Sequence, residues 1–509
     1  MSEIQAYFDN KTIFITGSSG FLGKLLLEKL LRACFGLNKI YVLVREKKGV
    51  QPKERLETIF NSKAFDFIKK NRPNFTDKVS ILTGDLELPN LGLSQDDVKV
   101  LQEEVEIVFH CGATVRFDES LKKVAVINIR GTKDLIKICR GSKKLESFVY
   151  VSTAFSNCHL KVIKEIIYEP YLKEDIFMKI VDLDDDTLNK ITPIILKDLP
   201  NTYILSKGTT ENVILDEGKG LPISILRPSV VSSSVMEPMP GWTDTFFAIT
   251  GMFGAAALGV LHHVHGDPSY KVDTIPVDYV TNNLIAVAFD THKRQSNPDE
   301  KEKLKIFNST CGTRNPILWG DLSAKIKSCR AKYPFTRAVQ YPYGGLIKSK
   351  TIYYLNVLFL HYFPALLVDF ILILILKEPF MFNLSKKVIK FVNAISYFTL
   401  NEWEFDDTNN KALYENLSKK DQDLFNFDIE SINWDDYADN FVKGLRIYLL
   451  NDPLETIPVA RKKFIILAGI HYFILIVLFY LFVKIGFFFH FDVTTSSPPL
   501  LSFLNACAC

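Results

Sequence analysis

Over the first 150 residues the apolar positions come in short unbroken runs, not in alternation. Residues 11–15, 39–44, 78–83, 107–110 and 147–151 are such runs, and helical apolar spacing separates them, most clearly over 21–31 and 122–139. An alternating strand has one wet face, whereas a strand apolar throughout is covered on both. The pattern therefore predicts an α/β fold, a parallel sheet held between two layers of helices. A later strand is predicted at 222–226, before Arg227 and Pro228, and short strands at 273–278 and 305–309 are assigned to a substrate-side lobe.

Beyond residue 334 the pattern changes. Residues 334–350 mix Pro, Gly, Tyr and basic residues and read as a linker. Residues 352–376 are strongly apolar but hold Asn356, His361, Pro364 and Asp369. An aspartate and a mid-helix proline are expensive in a spanning helix. The segment is read as a membrane-lying or acyl-contacting helical hairpin, with a second membrane span as the alternative. Residues 386–450 are amphipathic and predict a small helical domain. Residues 464–483 are 20 positions without a formal charge, roughly the width of a bilayer core. Arg461, Lys462 and Lys463 precede them and Lys484 follows, which keeps the N-terminal side cytosolic by the positive-inside rule.

Composition narrows this picture. A net charge of +3 gives no ground for a nucleic-acid partner. None of the eight cysteines forms a Cys-x-x-Cys pair, so no metal site is expected. Six are scattered singly, as reduced cytosolic thiols would be, while Cys507 and Cys509 close the chain as simple tail thiols or as a lipidation end. The first ten residues lack the basic and apolar regions of a signal peptide.

The chemistry-bearing residues gather at strand ends. Thr16 is followed by Gly17-Ser18-Ser19-Gly20-Phe21-Leu22-Gly23, between the first strand and the first helix. Glycine there allows a tight turn, close approach of a pyrophosphate and helix–strand packing, and the helix N-terminus offers free N–H groups. This predicts a Rossmann-type, doubly wound dinucleotide site. Arg45 follows the second strand, where a carboxylate would select NAD, so with Lys47 and Lys48 beside it the expected cofactor is NADPH. Asp85 and Leu86 end the third strand, the Asp85 carboxylate being placed to accept from the adenine amino group. Ala113 and Thr114 follow the fourth, beside His110, which is read as a packed histidine. Ser152 and Thr153 end the fifth. Tyr203 and Lys207 stand one helical turn apart, on one face. The expectation is that the Lys207 ammonium lowers the Tyr203 pKa, letting the phenol donate a proton to a carbonyl that receives hydride, while Lys207 also holds the nicotinamide ribose.

Taken in order, these motifs resemble the extended short-chain dehydrogenase/reductase superfamily and, more narrowly, the eukaryotic alcohol-forming fatty acyl-CoA reductases. The narrower likeness rests on the glycine run through Lys24, Tyr-Val-Leu-Val-Arg45, His-Cys-Gly-Ala-Thr-Val-Arg-Phe117, Val-Ser-Thr-Ala-Phe155, Leu-Arg-Pro-Ser229, His-Gly-Asp-Pro268 and Ile-Pro-Val-Asp-Tyr-Val280. His361-Tyr-Phe-Pro-Ala365 resembles the start of that family's C-terminal domain. Gly112 and Phe155 depart from the family's usual Ala and Tyr. The resemblance implies a Rossmann reductase domain with its substrate lobe at 8–340, a helical domain at 352–450 and a single transmembrane helix at 464–483. It implies that long-chain acyl-CoA is reduced through an aldehyde to a primary alcohol by two NADPH. Thr153 would be the hydroxyl partner of Tyr203 and Lys207, with Ser152 a possible substitute. The anchor would sit in endoplasmic reticulum or peroxisomal membrane. Residues 246–261 are read either as acyl-tunnel wall or as core helix. Competing readings are a membrane-bound sterol or sugar-nucleotide enzyme of the same superfamily, and a silent lipid-binding scaffold.

Overall fold

The computed structural model describes residues 1–297 and 303–495, side chains 482 and 485–495 aside; Cys507 and Cys509 lie outside the described residues. Seven strands form one sheet: β1 (Thr12–Thr16), β2 (Lys39–Val44), β3 (Val79–Thr83), β4 (Ile107–His110), β5 (Ser147–Val151), β6 (Ile223–Pro228) and β7 (Lys305–Ser309). Every pairing is parallel, in the order β7-β6-β5-β4-β1-β2-β3. The order reverses between β1 and β4, and ligands of such sheets bind at the carboxyl ends beside that switch. Successive residues of one strand enter different cores: Ile13 and Ile15 pack on one face, Phe14 on the other. That is why the strands lack alternation.

The helices that matter for the site are α1 (Phe21–Ala33), α2 (Pro52–Phe60), α3 (Thr202–Glu217) and α4 (Ala248–Ala257). Asn201 caps α3, its Oδ1 accepting from the Ile204 amide at 3.0 Å. The helix expected at 122–139 is continuous but contains one π turn, Ala125–Arg130, which turns Asn128 inward.

Three expectations about the later chain are corrected. Residues 305–309 are not in a lobe; as β7 they form the sheet edge beside β6. Within 273–278 the strand is only Thr274–Pro276, paired in parallel with Val230–Ser232, and a helix begins at Val277. Residues 334–350 are not a free linker, since Gly345–Ile347 pairs in parallel with His263–His265.

The reading of 352–376 as a hairpin in itself is corrected as well: the apolar segment is one helix, α5 (Lys350–Leu374), and it forms a hairpin only with the antiparallel α6 (Met381–Thr399) that follows. A last helix, α7 (Ile457–Thr495), contains the apolar stretch 464–483. Its most apolar window is long enough to cross a bilayer, with mean hydropathy 2.5 and none of it buried.

The region between α6 and α7 packs against the reductase part. Glu404–Phe405 pairs with Val162–Ile163, and Arg314 bonds Asp407 at 2.8 Å. Buried Asp421 accepts from the amides of Glu3 and Ile4 at 3.2 and 3.1 Å, tying the first helical turn of the chain to a segment over 400 residues away. An anionic side chain at a helix N-terminus satisfies donors that have no partner within the helix. Asp421→Ala leaves those amides unpaired in the interior and is expected to cost about 1–3 kcal/mol, read from thermal or denaturant unfolding of the full chain. An unchanged midpoint would refute this tie.

Candidate active site

β1 runs straight into Gly17, whose φ of +74° lies where only glycine is unstrained. A methyl group on Gly17 would come within 2.7 Å of the Gly112 amide nitrogen, and one on Gly23 within 2.3 Å of the Gly17 carbonyl oxygen. Gly20 is different: beyond the Gly17 carbonyl oxygen at 3.2 Å, its α-carbon faces open space at the head of α1. The turn is thus sealed behind by backbone and bare in front, a cradle for a phosphate pair at a helix N-terminus. Ser19, Gly20, Phe21, Leu22 and Gly23 border the cavity in front of it. Ser18 does not; it is buried behind the turn with its hydroxyl unpartnered.

The cavity is about 760 Å³, within the usual range for a cofactor or small-molecule site. At one end stand Arg45, Lys47 and Arg55, the last on α2. Arg45 donates to Asp85 Oδ2 at 2.9 Å, and Arg55 donates to Ser19 Oγ at 3.1 Å. Asp85, Leu86, Ala113 and Thr114 line the middle. The other end is apolar, with Phe117, Phe247, Ile249, Met252 and Phe398. The donor set and the bare glycine turn fit a dinucleotide.

Tyr203, Lys207, Thr153 and Ser152 all line this cavity, between its charged and apolar ends. Burial pushes the Tyr203 phenol above its usual range, and a hydrogen bond with Thr153 draws it partly back. Lys207 donates to the Val151 carbonyl at 2.7 Å and to the Tyr150 hydroxyl at 3.1 Å. Burial lowers its ammonium to about 7, against the pull of Glu211. The expected lowering of Tyr203 by Lys207 is therefore absent from this geometry: desolvation dominates both groups, and the ammonium points to β5 instead of to the phenol. Ser152 is turned away, donating to the buried Glu211 carboxylate, so Thr153 is the hydroxyl beside Tyr203. His110 is buried, with Nδ1 2.6 Å from Thr16 Oγ1 and Nε2 2.9 Å from Thr132 Oγ1. Burial, then Lys207, lowers it to about 3, leaving a neutral packed ring.

Residues 15–284 match an NAD-binding family model described as male sterility protein, and residues 360–452 match a second model of that description. Fatty acyl-CoA reductase 1 of Mus musculus is 36% identical over 93% of this chain and 91% of its own length. Fatty acyl-CoA reductase 2 of Mus musculus is 38% identical over the same shares. The chain belongs to the fatty acyl-CoA reductase family. Among solved structures, the terminal R domain of the myxalamid PKS-NRPS pathway aligns with TM-score 0.56 at 17% identity, covering 86% of this chain and 91% of its own. The reductase domain of a nonribosomal peptide synthetase from Mycobacterium tuberculosis aligns with TM-score 0.56 at 18% identity, covering 87% and 95%. With these two the reductase shares the fold.

Four polar residues in or directly behind this reductase's cavity were not singled out for it in the sequence. Arg55 is one. Asn128 reaches from the π turn, its Oδ1 accepting from the Thr114 amide at 2.9 Å and its Nδ2 donating to Ser206 Oγ at 2.8 Å. Glu211 and Arg227 form a two-pronged ion pair, 2.9 and 2.6 Å, both side chains at most 1% exposed. A signal for Glu211 existed: it continues the four-residue row Tyr203, Lys207, Glu211 on α3. Removing one member of a buried pair leaves the other charge uncompensated. Glu211→Gln, which keeps shape and loses charge, is expected to destabilise the full chain by about 3–5 kcal/mol in an unfolding measurement, and a loss below about 1 kcal/mol would contradict the pairing.

Proposed function

We propose that this reductase converts long-chain fatty acyl-CoA to the primary alcohol with two NADPH, passing through the aldehyde and releasing CoA. The observation that carries this reading is the single cavity with a bare dinucleotide turn at one end, Tyr203 and Thr153 in the middle and an aromatic, largely apolar wall at the other.

Gly17, Gly20 and Gly23, with Ser19, would hold the pyrophosphate. Arg45, Lys47 and Arg55 form a cationic end suited to a 2′-phosphate, which favours NADPH over NADH. Asp85, Leu86, Ala113 and Thr114 would border the adenosine, and Lys207 the nicotinamide ribose. NADPH, when bound, supplies hydride to a carbonyl carbon. The protein's own part is to hold the carbonyl oxygen between the Thr153 and Tyr203 hydroxyls while charge builds on it. In the first reduction the oxyanion collapses, the carbon–sulfur bond breaks and CoA leaves. In the second, the aldehyde oxygen takes the Tyr203 proton and the alcohol forms. Two hydrides and two protons are consumed in all. Phe117, Phe247, Ile249 and Met252 would take the first carbons of the acyl chain. Helix α4 packs in the core through Ile249, Met252 and Phe253, and Ile249 and Met252 also border the cavity, where they would face the acyl chain. Helix α7 would anchor the enzyme as a single span, with the reductase on the cytosolic side.

Membrane fractions given labelled acyl-CoAs of several lengths are expected to form fatty alcohol with NADPH and far less with NADH at low cofactor. Tyr203→Phe is expected to lower kcat about 10²–10⁴-fold. No NADPH-dependent aldehyde or alcohol with any chain length would overturn the reading, and full activity in Tyr203→Phe would remove the proton donor.

A pH profile tests Lys207. A lysine lowered to about 7 keeps its proton only below that pH, so the cationic, ribose-holding form of the free enzyme is lost as pH rises. The kcat/KM for NADPH, which reports the free enzyme, should fall as pH rises through about 7 and flatten below it. A profile level from about pH 6 to about pH 9, a span that brackets the lowered Lys207 value and stops short of an ordinary lysine, would show that the Lys207 charge is not needed.

A further inference from the structure

We propose that the α5–α6 hairpin is a second membrane contact and that it is one-sided: it lies in the surface of one leaflet and does not cross. This rests on the reading of α7 as a membrane anchor.

The inward row of α5 is Tyr353, Val357, His361, Ala365 and Asp369, one residue per turn. The rest of the helix is apolar and faces outward; Phe359, Phe363, Phe370 and Ile371 are each at least 55% exposed. Between Thr351 and Leu376 the one formal charge is Asp369. It is folded inward, accepting from the amides of Phe380, Met381 and Phe382 at 2.8–2.9 Å, where it caps α6. A continuous outward apolar face of this kind marks an interaction surface.

Helix α6 shows the opposite character outward. Lys386, Lys387 and Lys390 are exposed. The pairing of the two helices sets their level: Tyr353 Oη donates to Asn393 Oδ1 at 3.1 Å, and the Tyr362 and Phe382 rings are 5.5 Å apart. The lysines therefore lie beside the first half of α5. If α5 crossed the bilayer, its partner would carry three lysines into hydrocarbon, which is costly. Lying in the interface, α5 buries its aromatic face at the acyl boundary and Lys386 and Lys387 meet phosphate headgroups, the arrangement of an interfacial amphipathic element.

Continuity with α7 identifies the occupant as a bilayer. Tyr341 packs on Phe464 of α7 at 5.2 Å, and Tyr343 on His471 at 4.3 Å. Tyr343 stacks on His262 at 4.1 Å, and His262 meets His361 of α5 at 5.1 Å. The anchor and the hairpin thus leave the protein from adjoining surface. The hairpin also reaches the active site, because Ile395 and Phe398 of α6 line the cavity and Lys390 pairs with Asp118 beside Phe117.

The test uses the full chain in phosphatidylcholine–phosphatidylserine vesicles. Phe370→Cys, Lys377→Cys, Lys387→Cys and Ile476→Cys each carry an environment-sensitive fluorophore, with the labelled parent subtracted and parent-like reductase activity required of each variant. The expected result is a blue-shifted Phe370 label quenched by shallow lipid-borne nitroxides, with the Lys387 and Lys377 labels open to an impermeant quencher from the same side. A Phe370 label as solvated as the Lys387 label, or a Lys377 label reached only from the opposite side, would overturn the proposal. The Ile476 label separates the two readings. If it is solvated, the anchor fails; if it is in lipid while the Phe370 label is in water, the hairpin alone fails.

Discussion

The Glu211 carboxylate takes hydrogen bonds from Ser152 at the end of β5 and from Arg227 on β6, and it sits on α3 one turn beyond Lys207. Arg227 spends its remaining donors on the carbonyls of Lys164 and Ile166, in the loop over the same edge. One buried charge thereby joins two strands, a helix and a loop. The rest of α3's buried face packs through Ile204, Leu205, Val213 and Ile214 and bonds through the small hydroxyls of Ser206, Thr209 and Thr210, so this charge is the ionic part of what fixes the helix along the sheet. Buried ion pairs are poor sources of net stability but strong sources of position, because a displaced partner leaves a bare charge. The same carboxylate opposes the desolvation of Lys207. The geometry that brings Tyr203 to Thr153 and the charge state of the lysine beside them thus share one origin.

What the sequence makes legible follows from what local pattern encodes. Strands β1, β2, β4 and β5 are readable because burial on both faces leaves an apolar run that needs no knowledge of neighbours, and β3, half-buried at the sheet edge, is readable from Val79, Ile81 and Leu82. The glycine turn is readable because its geometry excludes side chains at Gly17 and Gly23 whatever surrounds them. Partner choice is not encoded this way. Nothing within residues 305–309 distinguishes a strand at the sheet edge from one in a lobe; its register against β6 does. Gly345–Ile347 is hidden for the same reason, a three-residue strand whose partner lies some 80 positions earlier.

Electrostatics is the least legible layer. The Tyr203–Lys207 spacing places both groups on one face but cannot report how far each is desolvated, and desolvation reverses the expected direction for the phenol. In the sequence only the family resemblance prefers Thr153 to its neighbour Ser152. They differ once Glu211 claims one of them, which requires knowing that a helix sixty residues on packs there. Asp369 shows the converse. As a residue on an apolar helix it looks like a penalty; as the cap of α6 it lets α5 present an uncharged exterior.

A long acyl chain sets the final constraint. Each methylene contributes about 0.8 kcal/mol on leaving water, so a chain of common length prefers a bilayer to water by roughly 10 kcal/mol. An active site that drew substrate through water would meet that barrier at every turnover. On the proposed function the apolar end of the cavity would be as much a part of catalysis as the hydroxyls. Met252 on α4 borders both the main cavity and a smaller apolar one, about 90 Å³, that extends to Phe464 at the start of α7. A largely apolar wall, with Lys327 and Arg330 at the edge of the smaller cavity, thus runs from beside Tyr203 to the helix that would enter the membrane. On this reading the acyl chain exchanges one apolar surrounding for another, and the thioester reaches Thr153 and Tyr203 from the lipid side while the dinucleotide turn stays on the side of water.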